Sequence, residues 1–215
     1  GYLHTTPCTC YKDKKRNYLY QAANLTPVME QQSFERFRLD YYSKEPVSNG
    51  HSAYDYVYGI YKDCRNFVQL EQYKTGVNLF LYGDPGLGKT FLCSCIAQDL
   101  LNQEVPVLYQ TAYRLFTVLE DARFKKDEMS EELARQFYEI PVLIIDDLGT
   151  EFVTSYTSAV LFDLLNTRIQ NKKSTVISSN LTLSQMKEQY SERVQSRIFG
   201  EYKLLKFYGT DIRKK

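Results

Sequence analysis

The chain has 215 residues, enough for one α/β domain with a short appendage, and its hydrophobic fraction of 43% suffices for a core. The formal net charge of +1 excludes a global electrostatic attraction to nucleic acid, so any such binding needs a local patch. No apolar run approaches the roughly eighteen residues that cross a bilayer, and the start does not resemble a signal peptide, which predicts a cytoplasmic protein without membrane contact.

A short cysteine pair lies in what we predict to be an N-terminal arm over residues 1–50. Cys8 and Cys10 supply two thiolates, whereas structural zinc takes four ligands, so a zinc site would require further ligands upstream of this pair. Two free thiols are the alternative. The odd total of five cysteines, three of them in predicted helices, indicates a reducing compartment rather than a disulfide framework.

A polar loop around Pro46 leads to a second unit, which we predict over residues 51–215. Ser52 opens its first helix with Asp55 in a loose capping-box position, and we expect this helix to run to about residue 73. Apolar residues that recur at helical spacing give this helix one face that packs on a core: Ala53, Val57, Ile60, Cys64, Phe67 and Val68.

The most specific motif is GDPGLGKT at residues 83–90, which follows a β-prone run over residues 77–82. The GxxxxGKT pattern between a predicted strand and a predicted helix over 91–102 is typical of a phosphate-binding loop, the Walker A motif. Lys89 would contact the β- and γ-phosphates, and the Thr90 hydroxyl would bind Mg²⁺ beside the positive end of the helix. The sequence therefore predicts nucleoside triphosphate binding by Gly83, Asp84, Pro85, Gly86, Leu87, Gly88, Lys89, Thr90 and Phe91.

A second informative stretch places two acids after a buried strand. Residues 142–145 are consecutive apolar residues, as expected of a strand buried on both faces of a parallel sheet, and Asp146 and Asp147 stand at its carboxyl end. This arrangement is typical of a Walker B motif. A loop cap is the alternative for the acid pair, and the phosphate loop upstream argues against it.

Strands and helices alternate through the rest of this unit, which predicts an α/β fold with a doubly wound parallel sheet. One predicted strand ends in Asn180, and a late helix carries Arg193 and Arg197 on one face. The predicted elements are a strand over 105–109, a helix from Thr111, a charged segment over 121–132, a helix over 155–170, a strand over 174–180, helices over 182–190 and 191–199, and a strand over 203–207.

Together these motifs resemble the AAA+ ATPases, and among them the DnaC/DnaI bacterial helicase loaders and their IstB relatives. The resemblance rests on GDPGLGKT, on IIDDLG with Asp-Asp where most AAA+ proteins have Asp-Glu, on the strand ending SSN, on ERVQSRIFG and on the closing GTDIR. It covers most of residues 20–215 and implies a doubly wound parallel sheet of the P-loop AAA+ type. Because eight residues follow Phe207, we expect no C-terminal helical lid.

The resemblance assigns roles to the polar residues at the predicted strand ends. Asp146, together with Thr90, would hold Mg²⁺, and the nucleotide would be ATP or ADP. Asp147 would polarise the attacking water, and because Asp is one methylene shorter than the usual Glu, slow hydrolysis is expected. Asn180 would orient that water or contact the γ-phosphate.

Three arginines late in the chain also match family positions. Arg197, with Arg193 as second choice, would act as an arginine finger in the nucleotide site of a neighbouring subunit, which implies self-assembly. Arg213 would contact the nucleotide of its own chain as a sensor 2-like cation. A surface ion pair is the alternative for each of them.

The family implies an ATP-dependent loader, part of a primosome, that places a hexameric replicative helicase on single-stranded DNA while ATP binding and hydrolysis drive assembly and release. Two alternatives stay open, an IstB-like transposition helper ATPase and a nucleotide-gated adaptor that hydrolyses little. In DnaI-like relatives a zinc domain precedes the ATPase, so Cys8 and Cys10 would be its tail.

Single-strand contacts are expected, by the same resemblance, over residues 113–126. Phe124 offers a stacking face in a charged stretch, whereas Phe116 lies at helical spacing with other apolar residues and is better explained as core. The basic run over residues 12–16 is the next candidate if this segment does not bind DNA. The cations that would contact phosphates are Arg114, Arg123, Lys125 and Lys126.

Overall fold

A computed structural model of the chain describes Leu19, residues 22–125 and residues 128–214. The predicted zinc ligands Cys8 and Cys10, the basic run over residues 12–16 and the predicted DNA contact Lys126 lie outside the described residues. None of the helices in the described ranges is long and apolar enough to cross a membrane.

A five-stranded parallel sheet forms the centre of the molecule, and a short antiparallel hairpin precedes it. The sheet has the order β4-β5-β6-β3-β7, and each neighbouring pair is parallel, which confirms the predicted doubly wound sheet. The strands are β1 (Pro46–Ser48) and β2 (His51–Ser52) in the hairpin, then β3 (Asn78–Tyr82), β4 (Val107–Thr111), β5 (Val142–Leu148), β6 (Ser174–Ser179) and β7 (Tyr202–Lys206).

Helices cover both faces of this sheet. Along β3, Leu79 and Leu81 belong to a hydrophobic cluster with α1 and α2, whereas Phe80 and Tyr82 belong to a second cluster with the later helices, as alternation along a strand requires. The helices are α1 (Ala53–Gln69), α2 (Lys89–Asn102), α3 (Ala112–Phe124), α4 (Glu128–Glu139), α5 (Ser155–Gln170), α6 (Leu183–Gln189) and α7 (Glu192–Glu201).

One local expectation was wrong, and one helix was not predicted. Helix α1 ends at Gln69 rather than near residue 73, because Glu71 adopts a left-handed conformation with φ of 51° and a separate 3₁₀ turn, Gln72–Thr75, follows it. Helix α4 lies partly in the segment described above only as charged. Its charged residues obscure a narrow apolar side on which Phe137 alone is fully buried within this helix. The predicted capping box at Ser52 does form.

The described part of the predicted arm packs against the sheet domain. Phe34 and Tyr42 are buried in the cluster that contains α1 and α2. The backbone N–H of Tyr109 donates to the carbonyl of Ala23 at 2.9 Å, and the Asn24 amide donates to the carbonyl of Tyr109 at 3.2 Å. These contacts cover the outer edge of β4, which would otherwise present unpaired backbone groups. A domain boundary near residue 50 stays a prediction.

Arg168, on α5, is fully buried and joins three elements without contacting a carboxylate. Its guanidinium donates to neutral oxygens only, and burial lowers the pKa of Arg168 to about 10. The side chain thereby fastens the end of α4 and the start of β6 to α5. Its acceptors are the carbonyls of Phe137, Ile140 and Ser174 and the hydroxyl of Thr175.

We predict that Arg168→Ala lowers the free energy of unfolding by at least about 3 kcal/mol, because it leaves several buried acceptors without a donor. Urea denaturation without nucleotide measures this change. Arg135→Ala is the matched control, because Arg135 pairs with Glu132 and Glu139 on the exposed side of α4 and should contribute less than about 1 kcal/mol. Equal effects of the two substitutions would contradict this structural role.

Candidate nucleotide and magnesium site

The predicted site residues meet at the carboxyl ends of β3, β5 and β6, which are neighbours in the sheet. A cavity of about 380 Å³ opens there, a volume suited to a small-molecule ligand. The phosphate loop forms one wall, Asp147 and Asn180 contribute polar groups, and the N-terminal 3₁₀ turns form the opposite wall with Phe37 and Tyr41.

Lys89 of the phosphate loop is turned onto the loop backbone. Its Nζ donates to the carbonyls of Gly83 and Asp84, each at 2.7 Å, and the residue is 4% exposed. Burial lowers the pKa of Lys89, while the nearby charges of Asp147 and Asp146 oppose that shift. Of the predicted nucleotide-binding residues, 85–91 line the cavity, whereas Gly83 and Asp84 contribute carbonyls to Lys89 instead of surface to the cavity.

The loop conformation requires glycine at residue 88, immediately before α2. Gly88 has φ of 86°, and an added Cβ would lie 2.8 Å from the Tyr42 hydroxyl and 3.1 Å from the Phe37 ring. The same hydroxyl donates to the carbonyl of Leu87 at 2.8 Å. The N-terminal segment therefore supports the phosphate loop directly, a contact that the sequence did not indicate.

Asp146 is a buried carboxylate held by hydroxyl groups from three elements. The Thr90 hydroxyl donates to it at 3.2 Å and the Tyr109 hydroxyl at 2.7 Å, and the Ser178 hydroxyl donates through a short hydrogen bond. Burial, together with the charge of Asp146, raises the pKa of Tyr109 well above its usual value, so the phenol keeps its proton. The structure thus brings the two predicted metal ligands, Thr90 and Asp146, into contact.

This cluster fits Mg²⁺. Mg²⁺ is bound by hard oxygen ligands, commonly one carboxylate with waters and phosphate oxygens, and Asp146 and Thr90 supply a carboxylate and a hydroxyl. No lysine or arginine among the described residues forms an ion pair with Asp146, and no described group of three or more His, Cys, Asp or Glu residues could hold a metal by itself. The zinc prediction falls on residues outside these ranges.

Asp147, the carboxylate predicted to polarise the attacking water, directly follows Asp146 in an uncommon backbone conformation. Its φ is 57°, and its N–H donates to the Ser178 hydroxyl at 2.9 Å, which holds the turn in place. The Asn180 amide donates to the Asp147 carboxylate at 3.4 Å, and both residues line the cavity. Burial and the charge of Asp146 raise the pKa of Asp147, against the opposing effect of Lys89.

The three predicted arginines occupy different places. Arg213 lines the cavity, but its exposed guanidinium pairs with Asp211 at 2.7 Å, so it must leave that carboxylate to contact a nucleotide. Arg193 and Arg197 lie on α7 outside this cavity, with their guanidinium carbons 5.8 Å and 5.7 Å from the Phe162 ring centre. The Arg197 Nε is buried and has no hydrogen-bond partner among the described residues.

Sequence reasoning missed Tyr109 and Ser178 as supports of the acid pair. Both lie on strands next to β5, but only Ser178 stands beside the end of its strand, where a polar residue was a usable signal. Tyr109 is in the middle of β4, opposite Ile144, and its position gave no such signal. The aromatic wall from the N-terminal turns gave no such signal, since its short 3₁₀ turns carry no helical or strand periodicity.

Comparison with known proteins places this geometry in a family. The sequence profile of the family described as IstB-like ATP binding protein matches residues 35–198, most of the chain. The chain belongs to this family. IstB-like proteins of this kind form a clade of the AAA+ ATPases, and the fold agrees with that assignment.

Named relatives of this IstB-like chain include two helicase loaders. The replicative helicase loader DnaC of Escherichia coli is 23% identical over 185 residues, which cover 86% of this chain and 69% of DnaC. The replicative helicase loader DnaI of Bacillus subtilis is 31% identical over 121 residues, which cover 55% of this chain and 38% of DnaI. A crystal structure of the DnaC helicase loader superposes with a TM-score of 0.67 at 21% identity, covering 85% of this chain and 100% of that one, which shows the shared fold.

We predict that Tyr109→Phe raises the Mg²⁺ concentration needed for half-maximal nucleotide binding by about tenfold, because groups that orient a metal ligand typically contribute this much. Calorimetric titration of ATP at several Mg²⁺ concentrations measures the change. Tyr138→Phe is the matched control, because it removes a Tyr–carboxylate bond to Asp163 between α4 and α5, away from the acid pair. An unchanged Mg²⁺ requirement in Tyr109→Phe would exclude this role.

Proposed function

We propose that this chain is an ATP-hydrolysing loader that delivers a hexameric replicative helicase to single-stranded DNA in the cytoplasm. The observation that carries the ATPase part is the placement of Asp147 and Asn180 in one cavity with the phosphate loop, whose Thr90 contacts the buried Asp146 carboxylate behind it. The loader part is supported by similarity to proteins named replicative helicase loaders.

Each polar residue of the site would have a separate role in ATP hydrolysis. Lys89 would exchange the carbonyls of Gly83 and Asp84 for phosphate oxygens. Thr90 and Asp146 would hold Mg²⁺, which when bound neutralises phosphate charge. Asp147 would take the proton of the attacking water, and Asn180, already hydrogen-bonded to that carboxylate, would orient the water. The raised pKa of Asp147 suits a proton acceptor.

Completion of the site by a neighbouring subunit is supported by the position of Arg197. This arginine lies outside the cavity of its own chain, and among the described residues it has no carboxylate partner. An arginine presented in this way suits insertion beside the γ-phosphate of another subunit. Arg193, four residues earlier on the same face of α7, is exposed beside it.

We predict that Arg197→Ala lowers hydrolysis on the order of 10³-fold while leaving ATP binding to single chains unchanged, because the lost charge acts on another subunit. Mixing this variant with Asp147→Asn protein should restore part of the activity, since some interfaces then pair an intact site with an intact arginine. ATPase assays over a series of mixing ratios measure the rescue. A lack of rescue at every ratio would assign Arg197 to its own chain.

A small exposed surface at the end of α3 suits single-stranded DNA. The Arg123 guanidinium carbon lies 5.6 Å from the Phe124 ring centre and 5.2 Å from that of Tyr156 on α5, and the two rings are 5.6 Å apart. Phe124 is 68% exposed, whereas Phe116 is 4% exposed and belongs to the core, as expected. We call Arg123, Phe124 and Tyr156 the Phe124 patch. Its cation and open rings offer a phosphate contact and stacking faces.

We predict that Phe124→Ala weakens single-stranded DNA binding by about tenfold or more, because stacking on one aromatic side chain contributes about 1–3 kcal/mol. Arg123→Ala should weaken binding and also reduce its salt dependence, because a phosphate contact is lost. Fluorescence anisotropy across a salt series measures both. Tyr58→Ala is the control, since it removes a comparable exposed ring under Lys62 on α1. Equal losses in the three variants would exclude the Phe124 patch.

The proposed function is tested by incubating the full chain with a hexameric replicative helicase, Mg²⁺ and ATP. We expect a stable complex that places the helicase on circular single-stranded DNA, followed by duplex unwinding. A chain that binds no helicase but bends duplex DNA in the presence of ATP would overturn this function in favour of a transposition helper. A helicase complex that forms without any ATP hydrolysis would favour a nucleotide-gated adaptor.

A further inference from the structure

A buried acid after the Walker B motif connects the turn that carries Asp147 to the start of α7, which lies outside the cavity. Glu151 is 8% exposed, and one of its carboxylate oxygens accepts from the N–H of Gly149 at 2.8 Å. Its other oxygen accepts a short hydrogen bond from the Tyr190 hydroxyl. None of the described lysines or arginines forms an ion pair with it, so one carboxylate divides its two oxygens between two distant segments.

The first of these segments is the turn that carries Asp147. The carbonyl of Asp147 accepts from the N–H of Thr150 at 3.2 Å and from the Thr150 hydroxyl at 2.9 Å. Gly149 lies inside this turn, so the Glu151 carboxylate closes it from the other side. Because Asp147 itself has a positive φ, its side-chain direction depends on these bonds. Glu151 therefore holds the turn that carries Asp147.

The second segment is the start of α7, the helix with the two interface arginines. Tyr190 is 3% exposed and immediately precedes Ser191, the N-cap of α7. The Tyr190 carbonyl accepts from the Gln195 amide at 2.7 Å, and the Ser191 N–H donates to the Ser158 hydroxyl at 3.1 Å. Tyr190 therefore belongs to the hydrogen-bonded start of α7, and Arg197 follows about two turns later.

The chemistry of the bond favours a connecting role over simple packing. Burial, and the charge of Glu151, raise the pKa of Tyr190 far above its usual value, so the phenol remains a donor. A buried carboxylate with no cation costs several kcal/mol unless hydrogen bonds compensate, whereas an apolar side chain would fill the same space without that cost. A carboxylate at this buried position is therefore better explained by its two hydrogen bonds than by packing.

We propose that Glu151 and Tyr190 are positioning residues that couple the Walker B turn of one nucleotide site to the arginines that the same subunit presents to its neighbour. A change in the turn around Asp147 would be transmitted through the Glu151 carboxylate to Tyr190 and so to α7. This proposal rests on the proposed function, because it requires Arg197 to act in the site of another subunit.

The experiment isolates arginine positioning by placing the substitution in a subunit whose own site is inactive. Arg197→Ala subunits, which keep an intact site, are mixed with Asp147→Asn subunits, which keep intact arginines, and the rescued ATPase rate is measured. The Asp147→Asn subunits, which supply the intact arginines and are called the donor below, are then replaced by one of two double variants. These are Asp147→Asn/Tyr190→Phe and Asp147→Asn/Tyr138→Phe. Tyr138→Phe is the matched control, since Tyr138 also donates to a carboxylate, that of Asp163, but on the outer side of α5.

We expect the Tyr190→Phe donor to give about tenfold less rescue than the Asp147→Asn donor, the effect of losing one buried hydrogen bond to a charged group. The Tyr138→Phe donor should rescue fully. Tyr190→Phe alone should bind ATP with unchanged affinity while kcat falls, a split that a folding defect would not produce. Glu151→Gln added to Tyr190→Phe should cause no further loss if the two residues act as a unit.

Equal rescue by the Tyr190→Phe and Tyr138→Phe donors would overturn the proposed coupling. The proposed role of Arg197 in the site of a neighbouring subunit would still stand. A loss of rescue that is accompanied by a matching loss of ATP affinity in Tyr190→Phe would also overturn it, because the bond would then only support the fold. If the Asp147→Asn donor itself gives no rescue, the proposal that Arg197 acts in the site of another subunit is wrong. The proposed coupling, which depends on it, is then wrong as well.

Discussion

The buried carboxylate of Asp146 is the constraint on which the rest of the site depends. A buried charge without a cation must be compensated by hydrogen bonds, and here hydroxyls from α2, β4 and β6 supply them. Each donor ties its element to β5, so the phosphate-loop helix, the edge strand β4 and the strand that precedes Asn180 are held next to the acid pair. The elements around Asp146 are therefore held in place by the protein's own hydrogen bonds, whereas Lys89 and Arg213 must exchange partners to contact a nucleotide.

Hydroxyl groups also support the residues next to Asp146 and the phosphate loop. Ser178 serves both acids, because its hydroxyl donates to Asp146 and accepts from the N–H of Asp147. Tyr42 supports the phosphate loop from the N-terminal segment in a similar way. Hydroxyl groups from elsewhere in the chain thus contact both the phosphate loop and the turn at Asp147.

The sequence predicts the parts of this arrangement that are local. GDPGLGKT, the buried strand before Asp146 and the capping box at Ser52 each follow from spacing within one element, and the structure contains all three. The contacts of Tyr109 with Asp146 and of Tyr190 with Glu151 join residues 37 and 39 positions apart, so periodicity cannot reveal them. Helix α4 was missed for a different reason, since its charged surface hides its narrow apolar side.

We propose that this IstB-like chain has an ATPase site that is completed only when subunits meet. The most direct measurement is single-turnover hydrolysis of ATP by the full chain, with Mg²⁺, across a wide range of protein concentrations. The account predicts a rate per chain that rises with protein concentration and levels off once assembly is complete. A rate per chain that does not change with concentration, or bound ATP that is never hydrolysed at any concentration, would contradict it.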